Sequence, residues 1–217
     1  MHQAIQYSLW AIGLWLNLLV LSALVRGSYR QYPFVFGYSL ALLLSTVVEI
    51  GLRTASKAVK NQYYWMDEIV LDVLVFCVVI AFIDDAARSS NKKMIERHWL
   101  VLAAALICAV SFAFHHSAHL NLQMTLVSRD LNICAVILDL ILWSLLVAVR
   151  RPNRRLMLLS GGLGLQLTGA IMGEQLRYFS RSLLMTGSLL EVTTGFLALY
   201  IWWRALRTAP APVKAAA

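Results

Sequence analysis

The sequence predicts an all-α integral membrane protein, a seven-transmembrane-helix bundle arranged as a 3+1+3 parallel repeat. Three observations predict it. Of 217 residues, 60% are hydrophobic and only 14% charged, too little polar surface for a soluble domain of this length. The apolar residues gather into seven runs of about 20 residues, the length a helix needs to cross a bilayer core. Polar residues recur in the same order in the first three runs and the last three.

Span 1 covers 5–25 and carries Asn17. No lysine or arginine precedes it, so it lacks the basic head of a secretory signal and reads as a retained helix. Span 2, 34–52, follows Pro33 and carries Glu49 near its end; proline is tolerated in a first helical turn, where its missing N–H is not needed. Span 3, 64–84, opens on Tyr63, Tyr64 and Trp65 and carries Asp72. Aromatics at a span end suit the membrane–water boundary. Span 4, 99–118, ends in the cluster His115, His116 and His119, and span 5, 130–149, carries Asp139.

Span 6, 156–177, follows Pro152, contains SGGLGLQLTGAIMGEQL and holds Glu174. Its Gly169 and Gly173 form a G-x-x-x-G pair that lets a neighbouring helix come close. In span 7, 183–204, Gly187, Glu191 and Gly195 share one face at four-residue spacing. That spacing predicts a tight contact of Glu191 with span 6. Residues 1–208 make one membrane domain, and 209–217 (APAPVKAAA) make a short, disordered cytoplasmic tail.

Lysine and arginine set the orientation. Thirteen lie in the connections after spans 1, 3 and 5 and at the C-terminal end, against six on the other side. The positive-inside rule puts the N-terminus outside and the C-terminus in the cytoplasm of a cell (inner) membrane protein. The net charge of +8 gathers in these connections, a pattern of a membrane surface rather than of a nucleic-acid face.

The repeat aligns Asn17 with Asp139, Pro33 with Pro152, Glu49 with Glu174 and Asp72 with Glu191, at offsets of 119 to 125. In topology this outline resembles the plan of sugar exporters of the SWEET type and of PQ-loop carriers, without the Pro-Gln dipeptide that names the latter. The resemblance implies a central binding site between two three-helix units, as in other carriers built from repeats.

A carboxylate within a membrane span is costly unless it faces a partner or a cavity, which makes it a functional candidate. The candidate ligand- or ion-binding residues are Asp72, Asp139, Glu191, Asn17, Glu49 and Glu174. Asp72 and Glu191 lie about 12 Å in from the outer ends of their helices, and Asn17 and Asp139 lie near mid-membrane. No lysine lies within a span, so the deep acids have no cation at hand, which favours proton exchange over a fixed ion pair. Arg53 and Arg177 reach the outermost acids, Glu49 and Glu174. The structural alternative is that each acid is hydrogen-bonded glue between helices.

His115 and His119 share a helix face and are the candidate metal ligands, with zinc as the metal. Zinc hydrolases of the ceramidase and adiponectin-receptor type draw their ligands from several helices, whereas these histidines belong to span 4 alone. Bis-histidine haem is disfavoured on the same ground, and retinal by the lack of a Schiff-base lysine in span 7. The three cysteines, Cys77, Cys108 and Cys134, lie singly in apolar runs and read as core residues.

No P-loop, dinucleotide fingerprint or Ser–His–Asp set is present, which weighs against an enzyme. The expected function is a small polytopic membrane carrier or ligand-binding protein. Its acidic, proton- or cation-sensitive site would lie in the outer half of the bundle. The alternative is a membrane sensor or accessory subunit acting through a larger complex; a metal-dependent intramembrane hydrolase ranks last. Expected partners are the bilayer, a small molecule, proton or cation, and a homodimer mate or larger membrane complex, with no nucleic acid. No cofactor is expected, zinc being the alternative.

Overall fold

A computed structural model describes residues 2–89, 106, 109–114, 120–148, 153–180 and 183–207. Every described element is helical, with no strand among the described residues. The α-helices are α1 (His2–Ala23), α2 (Pro33–Gly51), α3 (Lys57–Ser89), α4 (109–114), α5 (Leu120–Ala148), α6 (Arg154–Phe179) and α7 (Leu184–Arg207). Most of span 4, its histidines and the C-terminal tail lie outside the described residues.

Four helices are long and apolar enough to cross a membrane: Ser8–Gly27, Pro33–Gly51, Arg154–Arg177 and Leu184–Arg207. They coincide with spans 1, 2, 6 and 7. α3 is longer, at 33 residues, about 50 Å at 1.5 Å per residue. Its first half is loaded with Lys57, Lys60, Asp67, Glu68 and Asp72.

Local sequence explains the helix ends. α1 runs into a π-helical turn, Leu24–Ser28, in which Gly27 takes φ +155°, a conformation open mainly to glycine. The Tyr29 N–H closes that turn on the Leu24 carbonyl at 2.8 Å. Pro33 then starts α2, where its fixed φ suits the first turn. At α6 the Asn153 side chain accepts from the N–H groups of Arg155 and Leu156, capping donors the helix itself leaves unpaired.

Among the described residues, six long helices form a closed ring, with α3 also meeting α6 across it. Neighbours pack as α1–α2, α2–α3, α3–α5, α5–α6, α6–α7 and α7–α1. Asn17 in the second half of α1 meets Ser39 in the first half of α2, so these two run antiparallel. Ser128, early in α5, meets Glu68 and Asp72 in the first half of α3, so α3 and α5 run the same way. In the last closure, α1 lies so near α7 that a β-carbon on Gly13 would stand 3.3 Å from the Phe196 ring.

The most deeply buried apolar side chains lie toward one end, and the core runs on through Val127, Leu131 and Leu167. It joins Val20 and Leu24 of α1, Val35 of α2, Val78, Val79 and Phe82 of α3, Leu142 and Leu146 of α5, Leu156 and Leu159 of α6, and Trp202 and Leu206 of α7. These come from the second halves of α1, α3, α5 and α7 and the first halves of α2 and α6. The Trp202 indole N–H donates to the Leu159 carbonyl at 2.8 Å, and its ring meets Tyr38 edge-on at 5.8 Å. Arg155 reaches the last carbonyls of α7, Ala205 at 3.2 Å and Leu206 at 3.5 Å. The opposite end, marked by Tyr64, holds most of the acids.

α6 and α7 pack backbone to backbone. A β-carbon on Gly173 would stand 2.7 Å from the Gly187 carbonyl oxygen, and one on Gly187 2.5 Å from that of Gly173. Gly169 abuts Thr194, and Gly162 abuts Trp202. The predicted contact of Glu191 with span 6 is present here, since the Glu191 β-carbon would lie 3.2 Å from a side chain at Gly173. Gly195, expected on the same face, has open space where a side chain would go. Eight residues at 100° each return 80° past the starting direction, which carries Gly195 off the narrow seam.

Candidate functional site: an acid cluster at the Tyr64 end

Asp72 is buried at the junction of α3 and α5, at 7% exposure. Helix periodicity aligns Tyr64, Glu68 and Asp72 at four-residue steps on one face of α3, directed at Ser128 of α5. The Ser128 hydroxyl lies 2.7 Å from Asp72 Oδ2 and 2.9 Å from Glu68 Oε1. A serine hydroxyl has one proton to donate. The two carboxyls therefore share one serine proton, and a proton on either carboxyl lets the serine donate to one and accept from the other. The second Glu68 oxygen, Oε2, is buried without a hydrogen-bond partner. Tyr64 and Glu174 lie within electrostatic reach of Glu68.

Glu191 stands at the rim of this cluster. Arg177 of α6 pairs with it at 2.8 Å. Arg177 also lies within electrostatic reach of Glu174, a turn away on the same helix, as expected; the pairing departs only from the expectation that Glu191 lacks a cation. The close α6–α7 seam brings the two across, and both side chains remain about 40% exposed or a little less.

The other predicted residues lie elsewhere. Asp139 is buried between α5 and α6, accepting from Ser160 at 2.7 Å, with its second oxygen against Gly164. Asn17 is buried between α1 and α2 and donates to the Ser39 carbonyl at 3.0 Å. The Asn17 Oδ1, Ser39 Oγ and Gln166 Oε1 atoms are buried without partners. Glu49 is exposed at the end of α2 and lines a separate cavity. The structure thus gathers Asp72, Glu174 and Glu191, adds Glu68 and Ser128, and leaves Asp139, Asn17 and Glu49 apart.

Neither Glu68 nor Ser128 is among the candidates the sequence singles out. The i, i+4 step from Glu68 to Asp72 was the signal available for the first; nothing in α5 singles out one serine. No group of three or more His, Cys, Asp or Glu placed to hold a metal occurs among the described residues, and His115 and His119 fall outside them. No protein family matches the chain, and no curated protein or solved structure matches it either.

Proposed function

We propose that this chain is a small polytopic membrane carrier or ligand-binding protein that takes up a proton or cation at Glu68, Asp72 and Ser128. The observation that carries the reading is the single serine hydroxyl set between two carboxyls. Such a triad holds a proton in one charge state and releases it in another. Glu174 and the Arg177–Glu191 pair surround it with charges that would sense a passing ion. The largest fully buried apolar side chains, such as Trp202, Phe82 and Leu24, lie toward the opposite end, which supports a site open toward the Tyr64 side.

Seven spans and the 3+1+3 plan belong to the same proposal. Parallel α3 and α5 ask the chain to recross between them, which favours a fourth crossing at 99–118. The ring contacts also map onto themselves when α1, α2 and α3 exchange with α5, α6 and α7, as a two-fold repeat requires. The charge bias then puts the Tyr64 end outside.

Infrared difference spectroscopy on the purified protein tests the shared proton. A protonated-carboxyl band should appear on acidification and be lost in Asp72→Asn or Glu68→Gln. The absence of such a band, or its persistence in both variants, would overturn the reading.

A further inference from the structure

The end of α7 opposite Tyr64 presents a face that the acid cluster does not use. Tyr200, Trp203, Arg204 and Arg207 stand at i, i+3, i+4 and i+7, which puts them on one side of the helix. The other side carries Trp202, fully buried against α6 with its indole N–H on the Leu159 carbonyl. The four residues therefore look out of the ring. Tyr200 is 45% exposed, Arg204 and Arg207 are exposed, and Trp203 is half-buried. Three of the four make contacts in series. The Tyr200 and Trp203 rings lie 5.9 Å apart, and the Arg207 guanidinium sits 5.2 Å from the Trp203 ring centre. Toward the middle of the helix the exposed Leu197 continues the same face.

The charge around this face is one-sided. No aspartate or glutamate occurs in 1–48, 140–173 or 192–217. The ring neighbours of α7 are α1, whose π-helical continuation carries Arg26, and α6, which begins at Arg154 and Arg155. Both therefore bring only cations to this end. Arg155 shows how close they come, since it donates to the Ala205 and Leu206 carbonyls. Asp84 and Asp85, the described acids at this end, belong to α3, which packs chiefly on α2 and α5. Glu96 follows Lys92 and Lys93 and precedes Arg97, so its segment adds no net negative charge.

We infer that this face of α7 binds an anionic phospholipid, with the phosphate at Arg204 and Arg207, the Trp203 ring at the boundary and an acyl chain along Tyr200 and Leu197. The planar guanidinium matches phosphate oxygens with paired N–H donors. α7 is long and apolar enough to cross a membrane, and exposed aromatics at the end of such a helix lie at head-group depth. A soluble anion would use the arginines alone, whereas a phospholipid also covers the apolar strip beside them. A zwitterionic head group would bring a second cation among the arginines, so a net negative one is preferred. The face lies at the far end from Asp72 and is independent of proton uptake there.

The test is native mass spectrometry of the full chain in a neutral detergent, titrated with dioleoylphosphatidylglycerol or dioleoylphosphatidylcholine. The phosphatidylglycerol should bind saturably and about tenfold more tightly than the phosphatidylcholine with the same acyl chains. Arg204→Gln and Arg207→Gln, both at exposed positions, should each weaken that binding about fivefold, the worth of one basic residue near an anionic head group, with an unchanged thermal midpoint. Arg30→Gln removes a cation at the same end but on the turn before α2, and should leave the affinity as it is. Millimolar inorganic phosphate should not displace the lipid. Equal affinity for the two lipids, displacement by inorganic phosphate, wild-type affinity in both α7 variants, or an equal loss in Arg30→Gln would overturn the inference.

Discussion

Arg177 and Glu191 face each other across the α6–α7 seam at 2.8 Å, joining two helices whose backbones already touch at Gly173 and Gly187. The pair is partly exposed, and exposed ion pairs contribute about 0–1 kcal/mol. Glu191→Gln should therefore lower the stability of the purified protein by less than about 1 kcal/mol, read from its thermal midpoint. A far larger loss would mean that the carboxylate supports the fold in a way this pairing does not describe.

The seam itself should be much less forgiving. Gly173→Ala pushes a methyl group into the Gly187 carbonyl, and such overpacking costs about 1–3 kcal/mol. Gly195→Ala meets open space and should be neutral or stabilising by up to about 1 kcal/mol, since alanine is the better helix former. Unfolding midpoints of the two variants, compared side by side, check the opposite signs.

At Asp139 the expected behaviour is that of a structural hydrogen bond. Asparagine can accept the same bond from Ser160, so Asp139→Asn should cost under about 1 kcal/mol. Ser160→Ala leaves a buried acceptor unmet and should cost about 1–3 kcal/mol. Equal losses in the two variants would show that the charge on Asp139, rather than its bond, matters.

Tyr32, in the turn before α2, provides a pH prediction. Burial, aided by the Asp85 carboxylate and opposed by Arg155, pushes its hydroxyl from 10.0 to about 12. The folded state thus holds this proton more tightly than the unfolded chain. Its stabilising contribution is complete below pH 10.0, the unfolded value, and is lost as pH rises through about 12. Tyr32→Phe should flatten the fall of the thermal midpoint across that window, and an unchanged slope would sink the assignment.

How far the chain could be read in advance depended on the scale of the feature. Apolar runs name spans 1, 2, 6 and 7 because hydrophobicity and length act over about 20 residues. The small residues of α6 announce a close helix contact, which Gly169, Gly173 and Gly187 make. Which partners meet is set by helix rotation, and a fraction of a turn decides it. Glu49 and Glu174 hold matching places in the sequence pattern, yet one lines a cavity and the other lies within electrostatic reach of Asp72. Ser128 meets Asp72 from 56 residues away, a distance no local pattern spans. The cavity at the Tyr64 end likewise needs three helix ends brought together before Glu49 and Lys57 share a space.

Closure of the ring through α1 and α7 also has a bearing on biogenesis. The face of α1 that receives Phe196 leaves the ribosome well before α7 does. Until α7 is made, that face has only lipid or a chaperone to meet. Closure of the ring must therefore wait for α7, with α1 at the edge of a growing arc. A truncation before Leu184 should leave an open arc whose exposed α1 and α6 edges invite association with a second copy, the membrane counterpart of a domain swap.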